Sequence, residues 1–283
     1  MQIDLVDVFA RGALTGNPLA VVRGGEVLSG DQMLALTRWL GFSETTFLLP
    51  PIDAQADYWV RIFYPAGELP FAGHPTLGSA RAWLAAGGRP KQAGVVVQEC
   101  GVGLVEVRVE EESLAFRAPP LLRGGALSDD ERAEAIRIAG VDDASVVEAV
   151  HACNGPGWRL LRLRSAADVL AARPVAEAPV PTDVGLIGPC SGEEGTGSDF
   201  EVRAFFADPQ GKIVEDPVTG SLNAAAAQAL FASGVARDCY VATQGRCTGA
   251  DGEVVLTQEA DGSVWVAGRA RMVAQGAALS PLD

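Results

Sequence analysis

Histidine is scarce in this chain. His74 and His151 are the only two, with no His-x-x-x-His spacing, so a histidine-based zinc centre is not expected. Cysteine is present but unorganised: Cys100, Cys153, Cys190, Cys239 and Cys247 are widely spaced, odd in number and contain no Cys-x-x-Cys pair. They read as reduced core or surface residues rather than a disulfide or metal framework. Positive charge is short as well. A formal net charge of −14 argues against nucleic acid and anionic membrane surfaces as partners, since both require Lys/Arg clusters. It leaves room for an anionic small molecule, because a local dipole can hold a carboxylate inside an acidic protein. No apolar run reaches the length of about eighteen residues that a membrane helix needs. The opening MQIDLVDVFA lacks a basic stretch followed by an apolar one, so no secretory signal is read and a cytoplasmic protein is expected. Phosphate loops of the GxxxxGK[ST] type, a GxGxxG turn with an acidic partner and a GxSxG elbow are all missing, and no cofactor is expected.

What the chain does contain is an internal repeat. Glu68 to Gly87 falls without a gap on Glu215 to Gly234 at an offset of 147, and seven of the twenty positions are identical. Upstream, Val60-Arg61-Ile62-Phe63-Tyr64 is echoed by Val202-Arg203-Ala204-Phe205-Phe206 at an offset of 142, so the intervening loop is five residues longer in the second copy. Some identities are alanines in an alanine-rich chain. The Glu-x-Pro-x-x-Gly core and the preceding strand carry the repeat, which predicts two similar halves facing each other. The Pro119-Pro120 pair marks the expected boundary, giving halves of 1–119 and 120–272, the first completed by the tail 273–283.

Local patterns fill in the halves. Alternation over Ile3–Phe9 and the run Leu19–Arg23 read as strands, with Asn17 at the tip of the turn between them. Ser29 caps a helix over Asp31–Leu40 that ends at Gly41. Glu44 stands where the next strand emerges. The strand Asp57–Tyr64 leads into a helix over Pro75–Ala86. Strands follow at Val95–Cys100, Gly103–Val109 and Ser113–Ala118. Beyond the boundary come a helix at Asp129–Ala139, strands at Val146–Ala152 and Trp158–Leu163, a short helix at Ala166–Ala172 and a strand at Val184–Ile187. The loop Ser191–Asp199 reads as mobile by composition. The second copy of the motif follows, and then three strands within Tyr240–Met272. Strands dominate and each half carries one long Ala-rich helix, an α+β pattern with a curved, mostly antiparallel sheet or barrel around a central helix.

The repeat places Gly73-His74 and Gly220-Ser221 at two helix starts. Helix N-termini present free N–H groups and a partial positive charge, and glycine lets a ligand approach the backbone. Two such mouths suit a small carboxylate-bearing substrate and the enolate-like charge formed when a C–H beside the carboxylate loses its proton. His74, Asp216, Ser221 and Glu44 are the polar groups available for acid/base work. Each also has a plain structural reading. Glu44 can be a solvated strand-edge charge, His74 and Ser221 helix caps, and Asn17 and Asp216 turn formers before proline.

Four co-linear motifs take the reading further: Thr15-Gly16-Asn17-Pro18-Leu19-Ala20-Val21-Val22, Phe42-Ser43-Glu44-Thr45-Thr46-Phe47, Glu68 to Gly78, and Glu215 to Ser221. In this order and spacing the sequence resembles the PhzF-like isomerase family of phenazine biosynthesis, which shares its fold with diaminopimelate epimerase. The resemblance implies two pseudo-symmetric domains with the active site in the cleft between them, and a homodimer. It implies Glu44 as the proton-carrying carboxylate, which takes the proton from carbon and returns it elsewhere, with burial raising its pKa towards neutrality. His74 and Asp216 become its polar partners, and Asn17, Gly73, Gly220 and Ser221 the substrate-binding groups. The epimerase and racemase relatives use a cysteine in each half near these motifs. Here Ala72 and Pro217 stand nearby, so the expectation is a cofactor-independent isomerase. A racemase of a small amino or hydroxy acid, or a ligand-binding protein without turnover, are the alternatives.

Overall fold

The structure, a computed structural model, describes residues 1–110, 113–192 and 197–280. The chain forms two compact units, Met1–Arg117 with Ala267–Asp283, and Ala118–Val266. Residues 193–196 of the segment expected to be mobile lie outside the described residues.

The first unit contains β1 (Gln2–Val8), β2 (Asn17–Arg23), α1 (Gly30–Leu40), β3 (Thr45–Leu49), β4 (Tyr58–Tyr64), β5 (Gly67–Leu69), α2 (Gly73–Ala85), β6 (Val95–Cys100), β7 (Gly103–Val109) and β8 (Ser113–Arg117). The second contains α3 (Asp129–Ala139), β9 (Val146–His151), β10 (Arg159–Leu163), α4 (Ala166–Ala171), β11 (Asp183–Pro189), β12 (Phe200–Ala207), β13 (Ile213–Asp216), α5 (Gly220–Ala232), β14 (Cys239–Gln244) and β15 (Gly252–Gln258). The last strand, β16 (Val264–Ala278), begins in the second unit and ends in the first.

In the first unit β1, β2, β3, β4, β6, β7, β8 and β16 follow one another by hydrogen bonding, and β16 returns to β1, so eight strands close into a barrel. Closure removes the exposed edges of an open sheet. Helix α2 packs against β1, β2, β3, β6, β7 and β8. It is buried from Gly73 to Ala80, which its small residues permit. A Cβ at Gly78 would lie 2.4 Å from Leu19 Cδ2, a separation that real side chains do not reach. Helix α1 lies over a separate apolar cluster of Val22, Leu28, Met33, Leu36, Phe47 and Phe63.

The second unit repeats the strand connectivity of the first. In both, the first two strands are antiparallel (β1–β2, β9–β10), the second and third parallel (β2–β3, β10–β11), and the third and fourth antiparallel (β3–β4, β11–β12). A short hairpin strand then leads into the long helix (β5 to α2, β13 to α5), and the next strand pairs parallel with the fourth (β6 with β4, β14 with β12). Helix α3 is the addition. It packs with α4 over Leu161, Leu163, Val184, Leu186 and Phe205.

One interaction explains the residues that the two copies share. Arg61 grips Glu68 with Nε to Oε1 at 2.8 Å and Nη2 to Oε2 at 2.6 Å, its guanidinium 5.0 Å from the Phe63 ring centre. Arg203 grips Glu215 in the same way, at 2.9 and 2.7 Å, 4.9 Å from the Phe205 ring centre. Both clasps span a hairpin in the same register, Phe63 opposite Glu68 and Phe205 opposite Glu215. The shared Arg-x-Phe and Glu are thus a two-toothed ion pair that fixes where each long helix begins. The loop between them varies freely in length because only its ends are held.

Candidate active site

The five α-helices among the described residues divide into two kinds at their N-termini. Helices α1, α3 and α4 start on Ser29, Ser128 and Ser165, whose side chains accept N–H groups of the first turn; α1 and α3 have complete capping boxes with Gln32 and Glu131. The two long helices start on Ala72 and Thr219, and neither has a side-chain cap. At α2, alanine cannot cap. At α5, the Thr219 hydroxyl is turned away and donates to Asp216 Oδ2 at 2.6 Å. First-turn N–H groups without a side-chain cap, at the positive end of the dipole, have the chemistry to hold an anion. The helices begin at Gly73 and Gly220, two residues before the proline start expected for the first, so both glycines belong to the opening turn.

In the first unit this mouth is surrounded by polar groups from three elements. His74, the second residue of α2, is 3% exposed. Asn17 is the first residue of β2 and fully buried, where a hairpin tip was expected. Its loop is folded back by Asp7, whose carboxylate accepts Thr15 N at 3.2 Å and Gly16 N at 2.8 Å. Asn17 Nδ2 lies 3.4 Å from His74 Nδ1, and Ser43 Oγ donates to Asn17 Oδ1 at 3.4 Å. With Nδ1 accepting, a neutral His74 carries its proton on Nε2, which lies 3.5 Å from Glu44 Oε2. Glu44 immediately precedes β3, and β3 is tied to α2 by Ser79 Oγ donating to Thr46 Oγ1 at 2.9 Å. Beneath, Tyr58 donates to Gln98 and Gln98 to Thr76, whose hydroxyl bonds Ala72 O, a buried chain that holds the first turn of α2.

Burial pushes the His74 imidazole down to about 3. The Glu44 contact is therefore one with a neutral imidazole rather than an ion pair. The unfolded chain binds a proton at His74 near pH 6.5, whereas the native protein refuses it until about pH 3. Between those values the unfolded state holds more protons, so this contribution to stability is complete above about pH 6.5 and declines as pH falls, by up to about 1.4 kcal/mol per pH unit. Urea unfolding measured between about pH 7.5 and 5 is expected to show that slope, and His74→Asn to flatten it. Equal slopes in the two proteins would refute the assignment.

In the second unit, Asp216 ends β13 and Ser221 is the second residue of α5. Gln244 organises this mouth. It accepts Thr219 N at 3.0 Å and Asn223 Nδ2 at 2.9 Å through Oε1, and donates to Asp216 O and Thr219 Oγ1 through Nε2. Trp158 Nε1 donates to Ser221 Oγ at 3.2 Å, and Asn154 Nδ2 to Ser221 O at 2.9 Å. The structure thus brings Asn17, Glu44, Gly73 and His74 together in one unit, and Asp216, Gly220 and Ser221 together in the other. Sequence reasoning passed over Gln244, Trp158 and Asn154. A buried glutamine late in a strand gives no periodic signal, and the loop holding Asn154 and Trp158 does not align with the Thr15–Pro18 loop residue by residue.

A family model described as phenazine biosynthesis-like protein (PhzC-PhzF) matches residues 6–276. The chain belongs to this family. Among curated relatives of the PhzF-family chain, a trans-2,3-dihydro-3-hydroxyanthranilate isomerase of Pseudomonas chlororaphis is 32% identical over 222 residues, covering 77% of this chain and 75% of that protein. Antisense-enhancing sequence 1 of Schizosaccharomyces pombe is 35% identical over 226 residues, covering 76% and 75%. Among solved structures, one from Pseudomonas aeruginosa described as a predicted epimerase superposes with a TM-score of 0.77 at 28% identity, covering 99% of both chains. The α+β fold is that of diaminopimelate epimerase-like proteins, as the sequence implied. Among the described residues no helix is long and apolar enough to cross a membrane.

Proposed function

We propose that this PhzF-family protein is a cofactor-independent isomerase that shifts a proton between two carbons of a small, unsaturated or amino-bearing carboxylic acid. Glu44 removes the proton. The observation that supports this is the Glu44 carboxylate 3.5 Å from a neutral, buried His74 at a helix mouth without a side-chain cap. The mouth holds charge that develops on the substrate as the C–H bond breaks, and His74 orients the carboxylate without neutralising it as a cation would. Asp216 is proposed as a further catalytic group that orients the substrate, Gly220 and Ser221 as substrate-binding groups of the second unit, and Asn17 and Gly73 as those of the first. We take the working form to be a cytoplasmic homodimer.

The isomerase class follows the curated relatives. A two-thiol epimerase is disfavoured, since neither helix start carries cysteine: Ala72 and Thr219 stand there. The test is to incubate the protein with trans-2,3-dihydro-3-hydroxyanthranilate and related small acids in D2O, and to follow deuterium bound to carbon by NMR. Exchange with a shifted double bond is expected. Exchange with inversion at a single carbon would replace this reading by a racemase, and binding without any exchange would replace it by a binding protein.

A further inference from the structure

The contacts of Gln244 reach beyond the opening of α5 to a carboxyl group. Gln244 is 1% exposed, and its partners fix which end of its amide faces which way. Thr219 N is a backbone donor, so the atom 3.0 Å from it is the oxygen, Oε1. Nε2 therefore faces Thr219 Oγ1 at 2.9 Å and donates to it. The Thr219 hydroxyl accepts there and sends its own proton to Asp216 Oδ2, 2.6 Å away. Nε2 also donates to Asp216 O at 3.1 Å. One amide thus sets the direction of a two-step chain, Gln244 to Thr219 to Asp216. Every bond of the chain lies within the second unit.

The first unit builds the same turn without this chain. At the repeat offset of 147, Asp216 falls on Leu69 and Thr219 on Ala72. Gln244 falls on Cys100. Tyr58 and Phe200 each stand three residues before the clasp arginine. Tyr58 pairs with Gln98 and Phe200 with Ala242, and two residues further on stand Cys100 and Gln244. The glycines that follow agree with the match. A Cβ on Gly101 would lie 2.6 Å from Pro70 Cα, and one on Gly245 would lie 2.7 Å from Pro217 O, so both pack on the proline of the repeat. The three polar members thus occur together in one copy and are replaced together by Leu69, Ala72 and Cys100 in the other. A hairpin that leads into a long helix does not need them. Buried polar groups cost stability unless all are paired. A complete set kept in one unit alone points past folding to the carboxyl on which it ends.

We propose that Gln244 and Thr219 are positioning residues that hold the Asp216 carboxyl in one orientation at the start of α5. This rests on the reading of Asp216, given above, as a group that orients the substrate. Neither residue is assigned a contact with substrate. Thr219 is 8% exposed, and its hydroxyl is committed to Asp216. The effect of both on the reaction passes through the carboxyl.

The experiment measures kcat and KM for trans-2,3-dihydro-3-hydroxyanthranilate with wild type, Thr219→Val, Thr219→Ser, Gln244→Glu, Asp216→Asn and the double variant Thr219→Val/Asp216→Asn. Each is first shown to melt as wild type does. Valine keeps the shape of threonine and removes the hydroxyl. It is expected to lower kcat about 10-fold, the worth of one well-placed hydrogen bond, and to leave KM nearly unchanged. Serine keeps the hydroxyl and is expected to retain most of the rate. Gln244→Glu puts an oxygen where Nε2 stood, which draws the Thr219 proton away from Asp216, and is expected to lose as much as Thr219→Val. If Gln244→Glu does not fold, the Thr219 variants decide alone. Asp216→Asn is expected to cost about 10²-fold, and the double variant no more than that, because the chain then has no carboxyl to position. Losses that multiply in the double variant, full turnover by Thr219→Val, or equal losses in Thr219→Ser and Thr219→Val overturn the inference and leave Asp216 its role. Full turnover by Asp216→Asn, or no turnover of this acid by wild type, removes the reading on which the inference rests and the inference with it.

Discussion

Glu44→Gln is expected to lower turnover by about 10²–10⁴-fold, the usual contribution of a positioned general base, with little change in the fold. Glutamine has the size of glutamate and can still face His74 Nε2, which stands 3.5 Å from the carboxylate, but it cannot accept a proton from carbon. No backbone group of the strand is disturbed, since Glu44 precedes β3 and the β3–α2 tie runs through Thr46 and Ser79. The loss should fall on kcat, because the interaction removed exists only once the C–H bond begins to break. Steady-state rates and thermal melts on the same preparation check this. A variant that melts normally and retains more than about a tenth of wild-type turnover would take the proton-transfer role away from Glu44.

Arg203→Met is expected to destabilise the protein by about 3–5 kcal/mol, the range for breaking one side of a buried ion pair. The Arg203 and Glu215 side chains are 5% and 16% exposed. Arg203 Nη1 also donates to Val169 O and Ala172 O, at 3.2 and 2.9 Å, so the substitution frees the end of α4 as well. The equivalent change Arg61→Met should cost about 1 kcal/mol or less. There the partners are 22% and 41% exposed, and water already solvates what the ion pair gives up. Two identical clasps thus predict unequal costs, and burial decides the difference. Urea unfolding of both variants supplies the comparison. Equal effects would show that the clasp geometry, not its desolvation, sets the energy. Arg203→Lys is not expected to restore stability, because an ammonium cannot span both carboxylate oxygens.

The parts of the fold legible in the sequence were those encoded by short-range chemistry. Helix α1 runs Gly30–Leu40 against an expected Asp31–Leu40, and its Ser29 cap and Gly41 terminus are as read. Helix α3 matches over Asp129–Ala139. The repeat around Gly73 and Gly220 was legible because the clasp demands the same residue types twice. Its reach into the third strand was not. The offset between copies is 147 at the helix start (220 − 73), 142 at the clasp arginine (203 − 61) and 139 at the acidic residue (183 − 44), so each loop resets the alignment. Glutamate against aspartate adds no identity, and only the pairing of Thr45 with Phe63 and of Val184 with Phe205 shows that Glu44 and Asp183 occupy equivalent positions. Asn17 was misplaced for a related reason. An Asn-Pro pair signals a turn locally, but Asp7 gathers the loop and draws Asn17 into the interior, a contact nine residues away that composition does not encode.

The bare starts of α2 and α5 have a practical consequence. Serine caps stabilise three other helices by roughly 1 kcal/mol each, and the two long helices forgo that stabilisation. An anion seated there, as proposed, would supply it instead, so a bound carboxylate is expected to raise the melting temperature. Substrate discovery then need not begin with an assay for the reaction. A thermal-shift screen of small carboxylic acids uses the fold itself as the detector, and Glu44→Gln, which binds without converting, is the form in which to run it.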